Sequence, residues 1–483
     1  MSWFDNIVSI LPGVAPPKQK RLPFKEKIKW TIIILVFFFA LGNVPLFGLG
    51  ENGLQQFEYL SIILGASFGS LLSLGIGPIV TGSIILQLLN GAGIIKMDLT
   101  TPEGKKKFEG LQKIMAISFI IVESFIFVLL GGLAPSAAFI GLARTKLQFI
   151  LVFQLFLGGI IVMFMDEISS KWGIGSGISL FIAAGISKQI FIQLFSFSDT
   201  LGNLFWSANF QGPVVGKFWA FFSSLFSGDI PGAGIAISTI IATALVFAIA
   251  TYAQAMKIEI PLSFGRVRGH GIRWPLNFIY TSNMPVILVA SLFATLQLWT
   301  RLMQNWLGGG SPICWIGDVT KWYCFPGGFQ GGTPVGLVSV LNGPNLLQSI
   351  ITTGFSAQIF LQSLFYVLLM IGGSVLFSIF WVQTSGMDAE SQAKQIMSSG
   401  LQIPGFRKDK RIVERILQRY IGPLTIMGAM TVGFLAAIAD LTGALSRGTG
   451  ILLTVMIIYK FYEDIAREHL MDLNPMVRKF MGK

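Results

Sequence analysis

Ten mostly apolar runs punctuate the chain, at about 30–48, 76–92, 114–133, 147–166, 174–195, 234–256, 279–299, 356–384, 421–440 and 447–465. A bilayer core of about 30 Å takes about 20 residues of helix, so each run predicts a membrane-spanning helix. The eighth is long enough to tilt or to extend past the bilayer. The first begins at Trp30, behind a basic stretch from Lys18 to Lys29, and has no small-residue cleavage pattern. It reads as a retained span rather than a signal peptide. Ahead of it, Trp3, Phe4, Ile7, Val8 and Leu11 recur at helical spacing. That spacing predicts a short interfacial helix, with a frayed terminus as the alternative.

The segment between 49 and 75 fits neither pattern. Phe57 to Leu74 is apolar but interrupted by Ser61, Gly65, Ser67, Gly69, Ser70 and Ser73. It reads as a re-entrant half-helix entering from the outside, sheltered by protein; a plain external loop is the alternative. The second run opens Gly77-Pro78 and the seventh opens Met284-Pro285, five spans apart. Two halves of five spans have opposite topology, which predicts an inverted repeat with a pathway between the halves.

Composition narrows the class. The 483 residues are 53% apolar and 12% charged, with a mean hydropathy of +0.70. Soluble proteins are about 25% charged. The 42 Phe exclude intrinsic disorder, two Cys exclude a disulfide scaffold, and the 55 Gly lack a three-residue period. With the N-terminus inside, 28 of the 35 Lys and Arg fall on inside segments. This bias predicts a multi-pass protein with both termini cytoplasmic, and it accounts for most of the net charge of +12 without nucleic acid.

Candidate chemistry is sparse. Glu123 lies within the third run, Asp166 and Glu167 end the fourth, Lys188 is in the fifth and Asp440 ends the ninth. No chain of ionisable groups suggests a proton relay. The sequence contains no HExxH or Walker motif, so it reads as a non-enzyme needing no cofactor or metal. A Gly-rich apolar centre suits a hydrophobic constriction, which excludes water and ions by dewetting. Cys314 and Cys324 share the segment assigned to the outside, where oxidation is permitted. A disulfide between them is the expectation, and two free thiols are the alternative.

Several separated runs resemble one family: Leu74-Gly75-Ile76-Gly77-Pro78-Ile79-Val80-Thr81, Trp172-Gly173-Ile174-Gly175-Ser176-Gly177-Ile178, Ser282-Asn283-Met284-Pro285-Val286-Ile287 and Gly405-Phe406-Arg407-Lys408. They look like the SecY family, in wording its archaeal branch, from about residue 18 to the C-terminus. The resemblance implies the channel subunit of a protein translocon: an all-α polytopic membrane protein of ten transmembrane helices, in two inverted-repeat halves of five, plus a re-entrant plug. It implies a pore ring at Ile76, Val80, Ile174, Ile178, Ile287 and Leu453, and a plug that includes Glu58, Ile62, Ile63, Gly65 and Phe68. It also implies a lateral gate carrying Thr81, Glu123 and Thr295, and ribosome docking through Arg266, Arg268 and Arg407.

On this reading residues 1–29 are a cytoplasmic interfacial segment and 30–196 the N-terminal half. Residues 197–233 are an external connection, 234–465 the C-terminal half and 466–483 a cytoplasmic tail. The C-terminal half carries an external loop at 300–354 and cytoplasmic loops at 257–277 and 385–420. The 385–420 loop and its edges hold seven basic residues, more than topology alone asks for, and basic loops tipped with Gly and Pro can bind RNA phosphates. The implied partners are a SecE-type gamma subunit and a small beta subunit in a heterotrimer, the ribosome and a targeting receptor, an unfolded polypeptide substrate, and lipid. The implied location is the cell membrane. A secondary transporter shares the architecture and an insertase without a pore shares the location; solute uptake and lack of conductance, respectively, would mark them.

Overall fold

The computed structural model describes residues 13–19, 22–52, 64–91, 94, 95, 97, 101–136, 139, 141–198, 214–264, 271–281, 284–307, 313–316, 325–330, 333–398, 401–402 and 409–473. The first half runs α1 (Phe24–Gly42), β1 (Leu49–Asn52), α2 (Gly77–Gly91), α3 (Pro102–Leu129), β2 (Leu133–Pro135), α4 (Leu142–Trp172) and α5 (Gly177–Phe195). A connecting helix, α6 (Lys217–Phe226), leads into α7 (Ile230–Ala255), β3 (Lys257–Phe264), β4 (Gly271–Asn277) and α8 (Met284–Leu307). Then follow β5 (Ile313–Ile316), β6 (Phe325–Gln330), β7 (Thr333–Val335), α9 (Leu337–Leu341), α10 (Leu346–Thr353) and α11 (Ala357–Thr384). The chain closes with α12 (Ala389–Ser398), β8 (Leu401–Gln402), α13 (Lys410–Leu441) and α14 (Gly448–Leu473).

A helix occupies each of the ten expected runs, but their bounds differ from the apolar runs. Seven of them (α3, α4, α5, α7, α8, α11 and α13) are long and apolar enough to cross a membrane. The helix α2 has 15 residues, about 22 Å at 1.5 Å per residue, so it covers only part of the apolar depth. Its missing depth is filled by the turns at 64–76. The helix α1 starts and stops six residues earlier than its apolar run, because the helix takes in Lys25, Lys27 and Lys29 and ends before Pro45.

Two helices reach well beyond their apolar runs. Thr101 caps α3, its hydroxyl accepting from the Gly104 N–H at 3.1 Å, and Pro102 takes the first helical position. Asp409 caps α13 twelve residues ahead of the apolar run at 421. Val413, Leu417 and Ile421 then form an i, i+4, i+8 stripe buried against Ile260, Leu276, Val382 and Ile396. This cluster lies on the side assigned to the cytoplasm and holds the three-stranded sheet β4-β3-β8 against α13. In that sheet Ser263 pairs with Gln402 and Phe264 with Leu401, so the bases of the two cytoplasmic loops are tied together.

The main core crosses both halves, with Phe38, Val162, Phe181, Ile287, Met370, Ala436 and Leu453 in one cluster. Phe38 and Phe181 stack with ring centroids 4.6 Å apart. The buried face of α7 is built from Ala233, Ala236, Ala242, Ala250 and Ala253. Small residues let helix backbones approach closely where lipid supplies no hydrophobic drive.

Candidate functional site

The waist is built around the start of α2. Ile76 is fully buried; its N–H donates to the Leu64 carbonyl at 2.8 Å and its own carbonyl accepts from Val80 N–H at 3.0 Å. Gly75 has φ +55°, and a Cβ there would lie 2.4 Å from the Leu64 oxygen. Only glycine therefore lets the 64–65 turn fold onto Ile76. A Cβ on Gly65 would lie 3.7 Å from both Ile76 and Phe181, so this turn touches the same side chains.

Ile76, Val80, Ile287 and Leu453 are buried members of one apolar cluster, and half-buried Ile178 packs against it. Ile76 immediately precedes α2, and the others arrive from α2, α8 and α14, with Ile178 from α5. Pro78 and Pro285 are each the second residue of their helix, where the missing N–H costs nothing. They start α2 and α8 and do not interrupt them. Ile174 stands apart. It is buried but outside that cluster, and its N–H donates to Thr31 Oγ1 of α1 at 3.1 Å. It belongs to the corner where the Trp30 and Trp172 rings meet at 5.6 Å.

Of the expected plug residues, Glu58, Ile62 and Ile63 lie outside the described residues. Gly65 and Phe68 are in turns, not helix, and Phe68 packs on a second cluster that includes Leu64, Leu74, Ile120 and Leu155. A dense serine network holds this stretch. Ser70 and Ser73 hydroxyls donate to Ser67 and Ser70 carbonyls at 2.7 and 2.5 Å, and Ser73 Oγ accepts from Gly69 N–H at 2.9 Å.

The three polar gate candidates lie on the seam between the halves. The helix α2 packs on both α8 and α11. Glu123 on α3 is 3% exposed and sits in the stripe between Ile120 and Phe127, while Thr295 is flanked by Ala294 and Leu298 of the same cluster. A Cβ on Gly77 would lie 3.6 Å from Glu123 Oε2, which places the carboxyl against the first turn of α2. Thr81 is half-buried one turn further along α2. Arg266, Arg268 and Arg407 lie outside the described residues, on the loops whose bases the β4-β3-β8 sheet joins. The interfacial segment at 3–11 also lies outside them. Residues 13–17 are not helical, and Lys171 Nζ and Trp172 Nε1 donate to the Val14 and Ala15 carbonyls at 2.5 and 3.0 Å.

A cavity of about 460 Å³ opens on the side of the waist assigned to the cytoplasm. Its walls come from both halves, including Gln87 of α2, Gln112 of α3, Ile178 of α5, Trp381 of α11 and Ile457 of α14. Ser83 accepts from the amides of Gln87 and Gln112 at 3.0 and 3.2 Å and so links α2 to α3 at the rim. The i, i+4 pair Ser83 and Gln87 in an otherwise apolar run was the sequence signal for this polar wall. The arrangement is a cavity with polar walls next to an apolar cluster. It holds no constellation that activates a nucleophile, and among the described residues no group of three or more His, Cys, Asp or Glu could hold a metal.

Comparison with known proteins points the same way. A family model described as SecY matches residues 70–462. The protein translocase subunit SecY of Methanothermobacter thermautotrophicus is 42% identical, over 99% of this chain and 98% of its own. A solved structure of a protein conducting channel superposes with a TM-score of 0.77 at 39% identity, covering 97% of this chain and 98% of the other. Sec61 in a canine ribosome-channel complex from the endoplasmic reticulum gives a TM-score of 0.74 at 39% identity, with coverage of 97% and 98%.

Proposed function

The chain belongs to the SecY family, and from that premise we propose how its parts divide the work of a protein-conducting channel. It is a multi-span membrane protein whose role is transport. Unfolded polypeptide enters the vestibule from the cytoplasm and passes the apolar waist of Ile76, Val80, Ile178, Ile287 and Leu453. Sufficiently apolar segments leave sideways, into lipid, along the seam of α2 and α3 against α8 and α11. The observation that carries this reading is the vestibule: it is walled by both halves and floored by the apolar cluster. Cross-linking a stalled nascent chain to a probe at position 76 or 178 tests it. Adducts at both positions are expected, and adducts only at lipid-facing positions would overturn it.

The chain carries no nucleotide motif, so the drive comes from a partner. The ribosome is that partner in our reading, with SecE-type gamma and small beta subunits completing a heterotrimer in the cell membrane, both termini inside. Support comes from the basic loops and from their shared base at Ser263 and Gln402. Charge reversal, Arg266→Glu, Arg268→Glu or Arg407→Glu, is expected to weaken ribosome binding. Removing one arginine–phosphate pair flattens the plot of log affinity against log salt by about 0.7–0.9. Co-sedimentation across a salt series reads this, and unchanged binding of all three variants would leave the basic loops as topology signals alone.

The plug reading, Glu58 to Phe68, rests on the folding of Leu64 and Gly65 onto Ile76. Deleting 58–63 is expected to leave an assembled but leakier channel, read as resting conductance in a planar bilayer. The disulfide reading gains support from the hairpin at β5 and β6, where Cys314 pairs with Pro326 and Ile316 with Phe325, the residue after Cys324. Cys324 lies outside the described residues. Thiol alkylation without reduction is expected to label neither cysteine; labelling of both would remove the bridge. Loss of the bridge is expected to cost about 3 kcal/mol or less, the figure for a 15-residue loop.

A further inference from the structure

Two carboxylates lie near the ends of corresponding spans in the two halves: Asp440 is buried, and Asp166 is half-buried at the wall of the vestibule, and the transport route described above gives a role to neither. Asp166 lies near the end of α4, which fills the fourth apolar run of the first half, and Asp440 near the end of α13, which fills the fourth of the second. Each reaches forward to the start of the next helix. Asp166 Oδ1 accepts from the N–H of Ile178, the second residue of α5, at 3.0 Å. Asp440 Oδ1 accepts from the N–H of Thr449, the second residue of α14, at 2.7 Å.

The match extends to the backbone. Both capped helices begin with glycine, and both glycines press on the preceding helix. A Cβ on Gly177 would lie 2.6 Å from Asp166 Cα, and one on Gly448 would lie 2.0 Å from the Ala439 carbonyl carbon. The α4–α5 turn lies on the cytoplasmic side and the α13–α14 turn on the outside, as an inverted repeat requires. Carboxylates are expensive at membrane depth and persist there when they have work to do. A carboxylate at a helix N-terminus also meets unpaired N–H groups and the positive end of the dipole.

Asp440 has more partners than Asp166. Its Oδ2 also accepts from the hydroxyl of Tyr366 on α11 at 2.5 Å and from the hydroxyl of Thr449. One side chain thus joins α11, α13 and α14. The intervening turn is strained, since Ser446 and Arg447 have φ of +54° and +59°. Gln193 of α5 and Thr243 of α7 hold that turn, accepting from the N–H groups of Ser446 and Leu445 at 2.6 and 3.0 Å.

We propose that Asp166 and Asp440 are symmetry-related positioning residues of the channel, which fix the starts of α5 and α14 and so set Ile178 and Leu453 at the waist. Ile178 is itself the capped residue, and Leu453 lies one turn beyond Thr449. The proposal rests on these two side chains belonging to the seal. Asp440 further ties that setting to α11, one wall of the seam between the halves.

The experiment is resting ion conductance of the complete translocon in planar bilayers. Asp166→Ala and Asp440→Ala are each expected to raise it by about tenfold, the equilibrium worth of one charge-assisted hydrogen bond. Asp166→Asn and Asp440→Asn keep an oxygen for the backbone N–H and are expected to restore most of the seal. Tyr366→Phe removes one donor and leaves the cap, so it covers the case in which an alanine variant fails to assemble; a leak of a few-fold is expected. The decisive readout is a double-mutant cycle with Leu453→Ser. If Asp440 acts through the ring, the leak of the pair falls short of the product of the single effects. Multiplicative effects, or tight channels in Asp166→Ala, Asp440→Ala and Tyr366→Phe, overturn the proposal. If Ile178→Ser and Leu453→Ser alone do not leak, the seal reading is what fails.

Discussion

A channel in which Ile76, Val80, Ile287 and Leu453 are all replaced by Ser is expected to leak ions at rest, by about tenfold or more, once the constriction wets. These four side chains are each at most 3% exposed and share one cluster. Water is kept out because nothing there offers it a hydrogen bond. Four hydroxyls supply those partners and remove the bulk that closes the gap. The substitutions also cost stability, since each buried aliphatic side chain contributes about 1.5–3 kcal/mol. A control separates the two effects. Val413→Ser with Leu417→Ser removes comparable burial from the cytoplasmic cluster, where both residues are at most 2% exposed. That pair is expected to lower thermal stability and leave resting conductance unchanged. A leak of equal size from the control would show that instability alone opens the pore.

Gly158→Leu is the single substitution expected to do most damage to assembly. A Cβ at Gly158 would lie 1.9 Å from the Leu71 carbonyl oxygen, and Leu71 N–H is itself bound to the Val44 carbonyl at 3.0 Å. The clash is with backbone, so no side chain can swing away. Overpacking costs about 1–3 kcal/mol even where side chains can adjust, and more is expected here. Leu71 immediately precedes Leu72 and the serine network, so displacement also loosens the 64–76 turns that pack on Ile76. Gly372→Ala in the middle of α11 is the comparison, because nothing lies within 4 Å of its added Cβ. Thermal unfolding in detergent is expected to drop steeply for the first and barely move for the second.

Apolar runs located all seven helices long enough and apolar enough to cross a membrane, because in lipid each span must satisfy its backbone internally and so declares itself as a continuous run. What it could not locate was where those helices end. The extensions of α3 and α13 carry Lys105 to Lys107 and Arg411 to Arg419, which hydropathy discards. The signals there were a Thr-Pro cap at 101–102 and the stripe Val413, Leu417, Ile421. The strand β3 was also legible: Ile258, Ile260, Leu262 and Phe264 alternate with Lys257, Glu259, Pro261 and Ser263. A search tuned to twenty-residue runs passes over eight alternating ones.

The candidate site was legible in part. The motif around Ile76 and that around Ile287 led to buried members of one cluster, whereas Ile174 fell beside Thr31 at the helix corner. One turn separates Ile174 from Ile178, yet Gly175, at φ +74°, redirects the backbone between them. Spacing alone does not record that change of direction. Asp166 and Asp440 stood out in the sequence as span-ending acids, but their partners lie 12 and 9 residues downstream across a turn. Capping rules that look for the cap beside its helix do not reach so far.

The length of α13 gives the molecule a mechanical property. Its 32 residues run from Lys410, beside the β4-β3-β8 sheet, to Leu441, at the Asp440 turn. At 1.5 Å per residue this is a strut of about 48 Å. Its lower third is clamped to β3 and β4 through Val413, Leu417 and Ile421, and its upper end is bolted to α11 and α14 through one carboxylate. Pro423 omits one rung of the ladder between those fixtures and marks where the strut can flex. In the proposed topology, a load placed on the loops at the β4-β3-β8 sheet is carried along this one helix to the opposite face of the membrane.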